Sequence, residues 1–134
     1  MKKVITLILV ALFAFTLASC APKDPVAAKE KLEKAGYSVV VDSIASPAAL
    51  KALGVEGVKS VLTASKTVET KNDKGETERT SVSVSAVWFE SSSAASNAQK
   101  TLQEQATAQG EKSEVKKAGS WLYYGDAQGM KDFA

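Results

Sequence analysis

"KSVLTASKTVETKNDKGETERTSVSVSAVWFE", residues 59–90, contains two long segments on either side of a turn-forming centre. In both segments apolar or small residues alternate with polar ones, which is the period-2 pattern of a strand with one buried face. The centre, Asn72 to Gly75, has the composition of a hairpin turn. A long β-hairpin is therefore predicted, and the neighbouring elements are interpreted around it.

The hairpin register follows from the length of its loop. A three-residue loop, Asp73 to Gly75 with Gly75 in the left-handed conformation, gives one apolar face interrupted only by Lys66. A loop longer by one residue would set valines against serine and threonine. The expected pairs are Leu62 with Ala86, Ala64 with Val84, and Val68 with Thr80.

Three elements are predicted before the hairpin. Asp24 caps a first helix that begins at Pro25, because Asp is a favoured N-cap and Pro a favoured first residue. Three consecutive valines in residues 37–45 favour a strand buried on both faces, and so an internal one. A short helix capped by Ser46 leads into the hairpin.

Three elements are predicted after the hairpin. An alanine-rich helix is capped by Ser92 or Ser93 and ended by Gly110. A final strand is centred on residues 121–124, with alternate side chains on opposite faces. A closing helical turn places three apolar residues on one side: Ala127, Met130 and Phe133.

The order of elements predicts an α+β fold. After the N-terminal helix the order is strand, helix, strand, strand, helix, strand, which is that of a ferredoxin-like βαββαβ plait with a four-stranded antiparallel sheet. The alternative is a cystatin-like α+β fold, in which a curved sheet surrounds one helix.

The N-terminus has the pattern of an export signal. Lys2 and Lys3 are followed by residues 4–18, which carry no charge. A positive start, an apolar run and small residues at its end are typical of a signal peptide. The run is shorter than the roughly 20 apolar residues that a membrane-spanning helix needs.

The end of that run, Leu17-Ala18-Ser19-Cys20, resembles the lipobox of bacterial lipoproteins. The resemblance covers residues 1–20 and implies that a diacylglycerol, with acyl chains such as palmitate, is joined to the sulfur of Cys20. It also implies cleavage just before Cys20. Two acyl chains give the stable membrane anchoring that one chain does not.

The resemblance implies a domain organisation and a location. Residues 1–19 are expected to be the lipoprotein signal peptide, residues 20–24 the lipidated cysteine and a short tether, and residues 25–134 a single α+β domain. The mature protein is expected on the outer face of the cell membrane, or at the outer membrane if the cell has one.

Composition excludes several functions. The full chain has 17 basic and 15 acidic residues; Lys2 and Lys3 account for the surplus, so both totals are 15 without residues 1–19. A neutral chain lacks the basic footprint of a nucleic-acid-binding protein. The chain has no histidine, which removes the commonest general base and metal ligand. A non-catalytic protein without a metal, and with no cofactor other than the diacylglycerol on Cys20, is therefore expected.

Aromatic and hydroxyl side chains are the candidates for recognition. The stretch from Gly119 to Asp126 is rich in aromatics, which bind sugar rings or anchor partners when exposed and otherwise form core. The second face of the hairpin is small and polar, with an aromatic ring further along. The candidate partner- or ligand-binding residues are Phe89, Trp121, Tyr123, Tyr124, Ser83 and Ser85.

Three functional hypotheses follow. The first is a lipid-anchored binding or adaptor module that meets another envelope protein or glycan. The second is an extracytoplasmic receptor for a small molecule or glycan, which requires a concave aromatic pocket. The third is a hydrolase that uses two carboxylates, which requires a pair of acids with separated pKa values.

Overall fold

The computed structural model describes residues 21–134, so Leu17, Ala18, Ser19 and Cys20 lie outside the described residues. This part of the chain contains four helices and five strands. The helices are α1 (Pro25–Lys34), α2 (Ala45–Ala52), α3 (Ser92–Ala108) and α4 (Ala127–Phe133). The strands are β1 (Ser38–Asp42), β2 (Val58–Lys71), β3 (Thr77–Phe89), β4 (Lys116–Ala118) and β5 (Trp121–Gly125). The strands form one antiparallel sheet in the order β1-β2-β3-β5-β4.

The hairpin of β2 and β3 has the predicted register. Leu62 pairs with Ala86, Ala64 with Val84 and Val68 with Thr80. Gly75 has a φ of 77°, which a residue with a Cβ rarely adopts. The Asn72 side-chain oxygen closes the turn by accepting hydrogen bonds from the backbone N–H groups of Lys74 (2.9 Å) and Glu76 (3.0 Å).

The sheet has a core on each face. Core 1 lies between the sheet and the helices α1 and α4, and core 2 between the sheet and α3. Core 1 includes Leu32, Leu62, Val84, Trp121 and Phe133. Core 2 includes Val55, Val87, Phe89, Leu102 and Leu122.

Lys66, the one charged residue on the predicted apolar face, finds polar partners at the rim of core 1. Its Nζ donates to the carbonyl of Ala35 at 3.0 Å and lies 3.6 Å from a carboxylate oxygen of Asp132. It also lies 4.4 Å from the centroid of the Tyr37 ring. The Tyr37 hydroxyl donates to Asp132 at 2.7 Å, so this group of contacts joins α1, β2 and α4.

The plait prediction was right in class and differs from the structure in detail. The sheet has five strands, and β1 lies beside β2 and antiparallel to it, whereas a split βαβ unit holds its first two strands parallel with another between them. The reason is α2, which has no fully buried residue and meets core 2 through the partly buried Leu50, so it does not cover a sheet face along its length as a plait helix must. β4 is a short strand that contains two lysines, so its pattern gave no strand signal. The cystatin-like alternative also differs, since helices pack on both faces.

The prediction that β1 is internal was wrong. β1 is the edge strand, and Val40 and Val41 are 64% and 36% exposed. A run of valines reports a preference for extended backbone, but strand order depends on which partners are available.

Two helix caps also differ from the prediction. The Asp42 carboxylate, rather than Ser46, accepts the N–H groups that begin α2: Ile44 at 2.9 Å, Ala45 at 3.0 Å and Ser46 at 2.8 Å. These bonds lower the pKa of Asp42 to about 2, the Ile44 bond first. In α3 the cap is Ser91, one residue before the predicted position.

Candidate functional site

The face of the sheet that carries core 2 is covered over only part of its width. Towards β1 it carries short side chains that form a shallow depression of about 210 Å³. We call this surface the hydroxyl face. It consists of Ser38, Val40, Thr63, Ser65, Ser83 and Ser85.

Strand register places these side chains in two rows. Ser65 lies between Ser38 and Ser83 on the neighbouring strands, and Thr63 lies between Val40 and Ser85. Neighbouring strands are about 4.8 Å apart, so each row is about 10 Å wide. Ser85 is half-buried and the others are exposed. The result is a flat array of hydroxyl groups with one exposed valine.

The hydroxyl face is uncharged, and each hydroxyl can donate and accept a hydrogen bond. Such an array suits a polar, uncharged partner surface, including the backbone of an extended segment. Because its members lie on three paired strands, their spacing is fixed by the sheet. This arrangement suits binding, and at its β3 edge the Asp126 carboxylate accepts a hydrogen bond from the Ser83 hydroxyl at 3.4 Å.

Asp126, which lies between β5 and α4, holds the backbone of Ser83 in place. At this point β5 leaves β3, and the Asp126 carboxylate accepts the Ser83 N–H at 2.7 Å. The Asp126 N–H donates to the Ser83 carbonyl at 2.9 Å. Gly125 and Gly129 approach the same carbonyl so closely that a Cβ on either would lie 2.5 or 2.7 Å from its oxygen. The strand that carries Ser83 is therefore fixed by α4.

Tyr124 borders the hydroxyl face beside Ser85, its partner in register. The Tyr124 side chain is half-buried. Burial raises the pKa of Tyr124, the neighbouring Ser85 side chain acts in the opposite direction, and the charge of Glu111 raises it further. The phenol is neutral at ordinary pH and belongs to the same hydroxyl-bearing surface.

Three of the candidate aromatic residues are core residues. Phe89 and Trp121 are each 1% exposed and Tyr123 is 8% exposed. Phe89 is buried in core 2, while the rings of Trp121 and Tyr123 lie about 5 Å from that of Phe133. Their expected role in contacting a partner is corrected accordingly, because α3 and α4 cover them. The predicted sides are right: Trp121 and Tyr123 belong to one core, and Leu122 and Tyr124 to the other.

Two other depressions were not predicted from the sequence. One, of about 550 Å³, lies between β4, β5 and α4, with Tyr123, Met130, Lys116 and Lys131 in its lining. The other, of about 270 Å³, lies beside the start of α3 and is lined by Glu56 and Glu90 among others. Residues 21–134 contain no group of three side chains arranged to hold a metal ion.

Sequence reasoning identified the β3 residues of the hydroxyl face and missed its β1 residues. Ser83 and Ser85 were candidates because they alternate with buried valines. Ser38 and Val40 were not, since β1 was expected to be internal. The polar residues at both ends of β1 were a signal for an exposed strand, and the valine run outweighed it.

Comparison with known proteins assigns neither a family nor a function to the chain. The chain matches no protein-family model, and no curated protein or solved structure is significantly similar to it. Among residues 21–134, no helix combines the length and the apolar character needed to span a bilayer.

Proposed function

We propose that this protein is an exported bacterial lipoprotein, anchored through a diacylglycerol on Cys20, whose domain binds another envelope component. The module is non-catalytic. The observation that carries its binding role is the hydroxyl face: a flat, uncharged, rigid array on three paired strands that no helix of residues 21–134 covers.

The chemistry of this face favours an adaptor over a glycan receptor. Sugar-binding sites stack rings on exposed aromatic side chains, and Phe89, Trp121 and Tyr123 are buried. A flat surface of hydroxyl groups is suited to a protein partner that presents polar backbone or side-chain groups. The partner is therefore an envelope protein, which contacts β1, β2 and β3 together.

A second candidate function has its own support in the depression between β4, β5 and α4. Its volume, about 550 Å³, falls within the range of small-molecule sites. Its lining combines apolar Met130 and Tyr123 with Lys116, Lys131 and Glu114, which suits an amphipathic ligand that carries charged groups. Such a ligand would make the protein a small-molecule receptor.

Photo-crosslinking in intact cells tests the adaptor role. A photoreactive residue is placed at Thr63 or Ser83 of the full chain, with Ser96 and Lys100 on the exposed side of α3 as matched controls. We expect a discrete adduct from Thr63 and Ser83 and none from the controls. The substitution Ser65→Arg, in the centre of the face, should abolish the adduct by steric and charge conflict.

Equal adducts from α3 and the hydroxyl face would refute the proposed surface. An adduct that survives Ser65→Arg would do the same. The receptor alternative predicts instead that substitution of the exposed Lys116 or Glu114, and not of Ser65, removes binding of a charged amphipathic ligand.

A further inference from the structure

The chain is docked on the domain immediately after Cys20. The indole N–H of Trp121 donates to the carbonyl of Pro22 at 2.8 Å. Ala21 packs against core 1. Asp24 caps α1 by accepting the Ala27 N–H at 2.7 Å. Cys20 is therefore joined directly to a residue in contact with the core, and not to a free linker.

This docking point defines one end of the sheet, which we call the anchor end. Trp121 pairs with Trp88, and Trp88 pairs with Ser60, so these residues lie level across β5, β3 and β2. β1 reaches the same end at Asp42, which pairs with Val61. Because α2 connects β1 to β2, it also lies at the anchor end.

α2 presents an apolar surface there. Ile44, just before the helix, is 83% exposed, and Leu53, just after it, is 46% exposed. None of its residues is buried, and the alanines at 45, 48, 49 and 52 are exposed. From Ser43 to Val55 the only charged residue is Lys51. Val26, in the first turn of α1 at the same end, is 68% exposed.

The opposite end of the sheet exposes no large apolar side chain. Beyond β1 and β5, the strands β2 and β3 continue as a two-stranded ribbon (residues 66–83). Thr77 at its far end is eleven residues from Trp88 along β3, about 36 Å at about 3.3 Å per residue. Residues 69–71 and 73–81 are exposed, and none is a large apolar residue.

We propose that the anchor end rests on the lipid bilayer, with α2 and Ile44 and Leu53 at its ends in the headgroup region beside the acylated Cys20. The inference rests on the proposed lipidation of Cys20. The occupant is the bilayer because the lipid attachment point is one residue from the docked chain. An amphipathic helix of this kind lies about 5–10 Å into the interface. The ribbon then points away from the membrane, and the hydroxyl face, on one side of the sheet, remains open to a partner.

The contact is apolar and does not depend on anionic lipid. Lys23, Lys51 and Lys59 lie at this end, and so do Asp24, Glu56 and Glu90, so there is no basic surplus to attract negative headgroups. A zwitterionic bilayer is therefore sufficient, and added salt should not release α2.

Fluorescence quenching in vesicles tests this orientation. The full chain is expressed in cells and purified as the mature protein, then reconstituted into phosphatidylcholine vesicles that contain a lipid-borne quencher. With Cys20 acylated, each of Ile44→Cys, Leu53→Cys and Lys74→Cys supplies a single site for a fluorophore, Lys74 being in the hairpin turn. Labels at positions 44 and 53 should lose most of their emission, and the label at 74 should retain it.

A second set of variants tests the apolar contact itself. A label at Ala49→Cys should regain emission when Ile44→Glu and Leu53→Glu are introduced together. The matched pair Thr70→Glu and Ser81→Glu, on the ribbon, should leave the quenching of that label unchanged.

Mass spectrometry of the N-terminal peptide separates the outcomes. If Cys20 is acylated and the labels at 44 and 53 are no more quenched than that at 74, the bilayer contact is refuted and lipidation stands. Protection of those labels by a second copy of the chain would have the same consequence. If Cys20 is unmodified, the proposed anchor fails and this inference fails with it.

Discussion

Gly129 lies inside α4, where helix propensity and packing make opposite predictions for Gly129→Ala. Alanine is favoured over glycine in a helix interior by about 1 kcal/mol, so an isolated helix would be stabilised. In the folded protein, a Cβ at position 129 would lie 2.7 Å from the Ser83 carbonyl oxygen, 3.0 Å from its carbon and 3.0 Å from the Val84 Cβ. Two of these three atoms are backbone.

The neighbouring strand cannot move to relieve this contact. Ser83 and Val84 pair with β2, Val84 pairs with β5, and Asp126 holds both backbone groups of Ser83. α4 must therefore shift outward by several tenths of an ångström and lift Phe133, which is fully buried. Overpacking of this kind costs about 1–3 kcal/mol. After the propensity gain, we expect a net loss of about 1 kcal/mol and a Tm lower by roughly 4 °C.

Thermal and denaturant unfolding of Gly129→Ala beside the parent protein measures this difference. Lys131→Ala is the matched control, because Lys131 is exposed on the same helix and such substitutions change stability by less than about 0.5 kcal/mol. A Gly129→Ala protein that is more stable than the parent would refute the close approach of α4 to β3.

Three further predictions concern the core and two titrating groups. Leu62→Ala should lower the free energy of unfolding by about 2–5 kcal/mol, because Leu62 is fully buried. Thr63→Ala, on the exposed face, should change that free energy by less than about 0.5 kcal/mol. Equal losses in denaturant unfolding would contradict the assignment of the two faces. The pKa of Asp42 is lowered to about 2, so its cap of α2 is complete above its ordinary pKa and is lost as pH falls towards 2. NMR titration should give that midpoint, and a midpoint near 4 would be inconsistent with the cap. Burial, and then the bond to Asp132, raise the pKa of Tyr37 well above its ordinary value. The stabilising effect of the neutral Tyr37 side chain is therefore present below pH 10 and is lost only at higher pH. In an ultraviolet titration, Tyr37→Phe should lack the highest tyrosine transition, and an unchanged curve would argue against the bond to Asp132.

The hairpin shows why part of this fold was readable from sequence. Its alternation and the turn at Asn72 to Gly75 are local, and a one-residue slip would move every side chain of a strand to the opposite face. The sequence pattern therefore allowed one register, which the structure confirms. The cap of α1 at Asp24 and the two sides of the final strand were also predictable, because they too depend on residues close together in sequence.

The position of β1 shows where this reasoning stopped. Its valines favour an extended backbone, but an edge or internal position depends on whether another strand pairs with its free side. α2, with no buried residue, keeps the chain at one end of the sheet, so β2 becomes the neighbour of β1. That outcome left Val40 exposed and completed the hydroxyl face with Ser38.

The fate of the aromatic residues likewise depended on distant parts of the chain. Trp121 and Phe89 carry the same local pattern whether they face solvent or a core. Phe89 is covered by α3, and Trp121 by packing against Phe133 and by its bond to Pro22, 99 positions earlier.

The sequence alone determined the α+β class, the hairpin and its register, since these depend on local periodicity and turn chemistry. It also predicts the lipid anchor at Cys20, which awaits its test. Only the tertiary structure decided the strand order, the burial of the aromatic rings, the open hydroxyl face and the docking of Ala21 and Pro22 on core 1. These depend on which surfaces remain uncovered after packing, a property of residues far apart in sequence that no local pattern contains.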